Sequence, residues 1–288
     1  MNSKKEVQHV YLVGAKSLGA YGGYETFVYK LTEYHQNKEN IKYHVACKAN
    51  GDGCMDESKF EGVTKINDHE FEFHNAHCFK IDVPQIGSAQ AIYYDVAALK
   101  ACCEHIKKNH IPHPIVYIMA CRIGPFAGHF YREIHKLGGT VYLNPDGIDW
   151  QREKWQSGLG SKFIHQGEKN AAKYADEVIV LSKGVQDYFK ETYGRKTHFI
   201  PNGVNRPQIR EASLITDKFG LKKGSCQCHE PSCLIPICTK NSPSPCGNGE
   251  HKSYIIFSVY LTECTSQLNR WFSGGLLLTQ TQPYIIPV

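Results

Sequence analysis

The sequence has no apolar run approaching the ~18 residues that a membrane-spanning helix requires. Its opening residues, MNSKKEVQHV, are basic but lead into no apolar core, so they are not a secretory signal, and a cytoplasmic location is expected. The chain contains fifteen histidines. Residues 1–223 nevertheless hold no H-E-x-x-H and no comparable ligand spacing, so no metal is expected there. An excess of one charge is also largely missing: 33 Lys and Arg stand against 28 Asp and Glu, a net +5. That balance suits an anionic ligand or an anionic membrane surface and is too small to argue for nucleic acid. Finally, no G-x-G-x-x-G follows the first apolar run, which disfavours a dehydrogenase or an epimerase.

At 288 residues, 41% hydrophobic and 21% charged, the chain has material for one large domain or two of ordinary size. The excess charge lies in residues 1–223. Beyond them Lys240, Lys252 and Arg270 balance Glu230, Glu250 and Glu263. Cysteine divides at the same place. Cys47, Cys54, Cys78, Cys102, Cys103 and Cys121 are scattered and read as reduced thiols filling a core, whereas six more crowd into the last 65 residues.

The most informative stretch is VYLVGAKSLGAYGGYETF, residues 10–27. An apolar strand enters a glycine-containing loop, and a helix follows with Phe27, Val28, Leu31 and Tyr34 at helical spacing. A strand, a loop and a helix N-terminus together present backbone N–H groups to an anion, and Gly22 and Gly23 leave room for its approach. A tight turn explains the same residues equally well. Further along, strands are expected at 43–47, 69–73, 78–83, 115–119, 140–143, 177–181 and 197–200. A turn at His74-Asn75 joins the second and third of these. A long helix capped by Ser88 carries Ala91, Tyr94, Ala98, Cys102 and Ile106 on one face. Other helices are expected up to about Leu137, over 161–174 with Phe163, Ile164, Gly167, Ala171 and Tyr174, and after Ser182. The alternation over 7–205 implies a doubly wound parallel sheet, Rossmann-like, with helices on both faces.

Ligands of such sheets sit beyond the C-terminal ends of the strands. Four post-strand loops therefore matter: 14–23, 120–126, 144–155 and 201–205. In the first, Glu25 complements the helix dipole, so it is a capping residue or a contact residue. Arg122 has the forked cation that suits phosphate or a carboxylate, or it forms a salt bridge. Asp146, between Pro145 and Gly147, can accept hydrogen bonds from sugar hydroxyls or act as a base, or it makes an Asx turn. Trp150, Arg152 and Trp155 suit sugar binding as well as packing. Pro201-Asn202-Gly203 has turn character.

Together, GAKSLGAYGGYETFV, YHVAC, IDVPQIGSAQAIYYDVAAL, YIMACRIGPF, LNPDGIDWQREKW, ADEVIVLSKGVQDYF and IPNGVN resemble the N-terminal half of a bacterial family 4 glycosyltransferase. The resemblance is closest to the rhamnosyltransferases of capsule and exopolysaccharide synthesis, and it covers about residues 7–223. It implies a GT-B enzyme whose two Rossmann-like domains face each other across a cleft. The implied reaction moves a sugar, rhamnose above all, from a dTDP- or other nucleotide-activated donor. The acceptor is a saccharide or a polyprenyl-linked saccharide, with peripheral contact at the cytoplasmic face of the inner membrane. No cofactor or metal is implied, because helix dipoles and cationic side chains stabilise the departing diphosphate. Carried onto this sequence, the resemblance sets Gly22 and Gly23 against the donor phosphates and Asp146 at the reacting sugar. Arg122, Arg152 and Glu25 become acceptor or phosphate contacts.

The resemblance stops near Leu221. The family's second domain carries a basic residue and an E-x7-E pair, and neither pattern follows here. The expected organisation is an acceptor-side domain, 1–223, and an aberrant or disordered Cys- and Pro-rich tail, 224–288, from a shifted reading frame. Little turnover by such a chain alone is expected. The rival reading of the tail is a metal-binding appendage using Cys226, Cys228, His229, Cys233 and Cys238, whose spacing fits no common zinc module.

Overall fold

A computed structural model describes residues 7–19, 22–152, 155, 159–203 and two dipeptides at 255–256 and 285–286. The chain divides into two units, Met1–Asn202 and Gly203–Val288. In the second unit Ile255–Ile256 pairs antiparallel with Ile285–Ile286. The other residues of the 224–288 tail, its cysteines included, lie outside the described residues, as do residues 204 and 205.

The first unit is α/β. In chain order it has β1 (Gln8–Val13), α1 (Gly23–His35), β2 (Ile41–Lys48), β3 (Thr64–Lys65), β4 (Glu70–Phe73) and β5 (Ala76–Ile81). Then come α2 (Gln90–Asn109), β6 (Ile115–Met119), α3 (Ala127–Lys136), β7 (Thr140–Asn144), α4 (Leu159–Tyr174), β8 (Glu177–Val180), α5 (Lys183–Tyr193) and β9 (His198–Phe199). The strands form one sheet in the order β3-β4-β5-β2-β1-β6-β7-β8-β9. It is parallel from β5 to β9, and an antiparallel β3–β4–β5 meander closes one edge. The turn between β4 and β5 places His74 and Asn75 at φ 50° and 57°, the left-handed pair that a two-residue hairpin needs.

The central strands read as near-continuous apolar runs because both faces are covered. On one face Tyr11, Val13, Ala46, Val116 and Ile118 share a core with Tyr94, Ala98, Cys102 and Ile106 of α2 and with Phe130, Tyr131 and Ile134 of α3. Helix α1 covers the other face. There Phe27 meets Tyr117 at 6.0 Å and His35 meets the Tyr43 hydroxyl at 2.8 Å. The six described cysteines are free thiols, and all but Cys54 are buried.

Two local expectations are corrected. The buried face of α1 is Glu25, Val28, Thr32 and His35, while Tyr34 is 47% exposed. Polar residues occupy this face because each has a local partner: Thr32 donates to the Val28 carbonyl, and His35 meets Tyr43. Ala89, not Ser88, stands at the N-cap position of α2. A short 3-10 turn, Gly87–Ala89, leads straight into the helix, and the Gln90 N–H bonds the Gly87 carbonyl. The expected cap at Ser182 does form, accepting from the Val185 N–H.

Candidate functional site at the sheet crossover

From β1 the chain adds β2 and β5 on one side, then crosses through α2 to add β6 on the other. The strand order therefore reverses between β1 and β6, and such a point leaves a crevice beyond the C-terminal strand ends. The register aligns those ends: Val13 lies opposite Ile118, and Met119 opposite Asn144. Gly14 turns out of β1 at φ 118°, where a Cβ would run into the Met119 carbonyl. Ala120, at φ 78°, turns out of β6 and donates its N–H to the Asn144 carbonyl at 2.7 Å. Three post-strand loops are thus drawn together.

Arg122 occupies the middle of this crossover. Its Nε donates to Asp95 Oδ2 at 2.8 Å and its Nη2 to the Gly14 carbonyl at 2.8 Å. Asp95 comes from α2, and its side chain is 2% exposed against 15% for Arg122. Burial pushes the Asp95 carboxyl up, and the guanidinium opposes that shift. Arg122 therefore fastens α2 and the β1 loop to the β6 loop, and its charge stands at the crevice from inside the protein.

Gly22 sits at the N-cap of α1 and makes no side-chain cap bond. Glu25, 8% exposed, folds back toward it. Its Oε1 accepts the Lys16 N–H at 2.8 Å, and a Cβ on Gly22 would strike its other oxygen. Glu25 thus closes the glycine loop rather than capping the helix. Gly23 is exposed, and a Cβ there would meet nothing within 4 Å.

Asp146 has φ 56° and donates its N–H to Asn144 Oδ1 at 3.0 Å, an Asx turn. Arg152 donates from Nη2 to the Asp146 carbonyl and to Asp146 Oδ2, at 2.8 and 3.1 Å, and its Nε pairs with buried Asp149 at 3.1 Å. Trp155 Nε1 donates to Asp149 Oδ2, and the Trp150 ring stacks on His165 at 4.3 Å. Both tryptophans brace this loop.

One residue of the site escaped sequence reasoning. Tyr24 follows the glycine pair, and its hydroxyl is buried without a hydrogen-bond partner among the described residues. Burial pushes it well above the usual phenol range, and Asp146, Arg122 and Tyr117 all lie within electrostatic reach. Nearby, the Tyr117 hydroxyl accepts from Asn144 Nδ2 at 3.2 Å. A buried O–H without a partner is costly unless something fills the adjoining crevice. Its position one residue after Gly23 was the available signal. The structure thus places Tyr24 within electrostatic reach of Arg122 and Asp146 and ties Arg152 to Asp146. Residues 201–203 have no regular structure.

Among the described residues no helix is long and apolar enough to cross a membrane. A family model described as "Domain of unknown function (DUF1972)" matches residues 7–205. No curated protein matches the chain. Among solved structures, the α,α-trehalose 6-phosphate synthase of Burkholderia multivorans is similar at 10% identity and a TM-score of 0.42, covering 69% of this chain and 49% of its own. UGT89C1 of Arabidopsis thaliana matches at 10% identity and a TM-score of 0.44, over 76% of this chain and 56% of its own. The N-terminal domain of Candida albicans trehalose-6-phosphate phosphatase matches at 14% identity and a TM-score of 0.40, over 70% and 49%. The chain spans about half the length of these structures.

Proposed function

The chain belongs to the DUF1972 family, and from that premise we propose that residues 7–205 form the acceptor-side half of a GT-B glycosyltransferase site. The reaction transfers a sugar, rhamnose from dTDP-rhamnose in the form proposed here, onto a saccharide or lipid-linked saccharide. The observation that carries this reading is the Tyr24 hydroxyl, buried without a hydrogen-bond partner among the described residues and within electrostatic reach of Arg122 and Asp146. The resemblance of the post-strand loops to family 4 rhamnosyltransferases supplies the reaction class.

Each residue then has a physical task. The first turn of α1, open at Gly23, presents backbone N–H groups and the positive end of the helix dipole to the donor diphosphate. Arg122 adds a fixed positive field that needs no reorganisation as charge builds on the leaving group. The Tyr24 O–H donates to a phosphate or sugar oxygen. Asp146 is held by its Asx turn and by Arg152 and faces the reacting sugar, where it accepts from a hydroxyl. Arg152 fixes its carboxylate at 3.1 Å, so positioning is its larger contribution.

One observation favours a second reading, a module that binds acceptor without catalysing transfer. Both candidate arginines already have carboxylate partners. A single experiment separates the two. The full chain is incubated with radiolabelled dTDP-rhamnose and acceptor lipid extract, and transfer is compared with Asp146→Asn. The enzyme reading expects slow but measurable transfer, as from half of a GT-B cleft, that falls at least about tenfold in the variant. Acceptor binding with no transfer under any condition supports the second reading and contradicts the first.

A further inference from the structure

A second cluster of chemistry lies at the opposite end of the sheet. His44 of β2 pairs across the sheet with Tyr11 of β1 and with His77 of β5. Helix α2 runs back over this face and sets His105 against them, with ring centroids 4.8 Å from His44 and 5.1 Å from His77. One ligand nitrogen from each of the three rings lies within 4.8 Å of the others. We propose that His44, His77 and His105 form a binding site for a late first-row divalent metal ion of the zinc class. Nothing in the glycosyl-transfer reading requires it.

Two features carry the proposal. The first is spacing. His44 Nδ1 and His77 Nδ1 are 3.3 Å apart. Tetrahedral zinc with Zn–N bonds of about 2.0–2.1 Å sets its nitrogen ligands about 3.3 Å apart. The same contact is long for a hydrogen bond, whereas the neighbouring His9 Nδ1···His44 Nε2 contact is 2.9 Å. The second is the outer shell. Every ring has its remaining nitrogen turned to a partner: His44 Nε2 to His9, His105 Nδ1 to the Tyr11 hydroxyl at 2.8 Å, and His77 Nε2 toward Glu70 Oε1 at 3.8 Å. Metal-ligating imidazoles are characteristically held this way, because the outer bond fixes ring orientation and tautomer. His105 is only half-buried and provides the way in.

The three ligands leave a fourth position for water. The ion ties α2 to β2 and β5 at the N-terminal half of the strands, so its consequence is stability. Ligands dispersed at 44, 77 and 105 give no sequence motif; only the strand register and the reversed course of α2 unite them.

The test uses the full chain in a C226S, C228S, C233S, C238S, C246S and C264S background, which removes thiol ligands of the tail. Metal-free protein is titrated with Co2+ by visible absorption and with Zn2+ by calorimetry. The expected result is one ion per chain, with tetrahedral d–d bands and a rise in thermal midpoint on Zn2+ addition. His105→Gln, a half-buried helix position that the fold tolerates, weakens affinity at least about 100-fold, and Tyr11→Phe, which deletes only the outer hydroxyl, about 10–100-fold. Absence of saturable binding, or affinity unchanged in both His77→Gln and His105→Gln, overturns the proposal.

Discussion

Two glycines, one at each end of the first loop, divide its work. Gly14 is fixed by sterics: its φ of 118° and the Met119 carbonyl leave no place for a side chain. Gly14→Ala is expected to cost about 2–3 kcal/mol in urea unfolding. Gly23 faces open space, so Gly23→Ala leaves stability within about 0.5 kcal/mol. Under the proposed function the added methyl stands where the donor diphosphate approaches, so the same variant binds dTDP less tightly in a titration. Loss of stability in Gly23→Ala, or unchanged dTDP affinity, would contradict the division. At this scale the sequence exposed the special backbone positions, because Gly-Gly and Pro-Asp-Gly are local signals. It hid partnerships between distant residues. Asp95 and Arg122 lie 27 positions apart, and neither carries any mark of the other.

Contacts between elements show where the fold depends on buried polar groups. Arg122 joins α2 to the loops after β1 and β6, so Arg122→Ala leaves Asp95 charged and buried. The expected cost is about 3–5 kcal/mol by chemical denaturation. A cost below about 1 kcal/mol would show that the pair is not structural. Between α1 and β2, His35 is 3% exposed and meets Tyr43. Burial, then the nearby Lys38, lowers its pKa below the ordinary 6.5. Below pH 6.5 the unfolded chain therefore takes up a proton that the folded chain resists, and stability falls as pH drops. Above pH 6.5 this contribution is complete. His35→Gln should make the urea midpoint fall less between pH 7.5 and pH 5, although other buried histidines act in the same direction and remain. An unchanged pH slope would remove His35 from this role. Helix α1 also shows why an amphipathic face is hard to locate from sequence: Thr32 and His35 score as polar, yet both are buried because each is partnered.

For the molecule as a whole, the α/β alternation was legible because β6 and its neighbours are unbroken apolar runs separated by turn residues. The crossover that follows from it draws three of the four post-strand loops to one end of the sheet. Less legible was what the topology brings together: the tyrosine hydroxyl within electrostatic reach of Arg122 and Asp146 at one end of the sheet, and three imidazoles at the other. Both are products of strand order and helix direction, which leave no local trace. The central claim is that the crossover is a binding site for an activated sugar, and Tyr24 tests it most directly. Tyr24→Phe removes a buried hydroxyl that has no partner among the described residues, so the unliganded protein should be as stable as before or slightly more so. Donor affinity, measured with dTDP-rhamnose by calorimetry, should fall about 10–100-fold, the value of one hydrogen bond to a charged group. A variant of full stability and unchanged dTDP-rhamnose affinity would contradict the account.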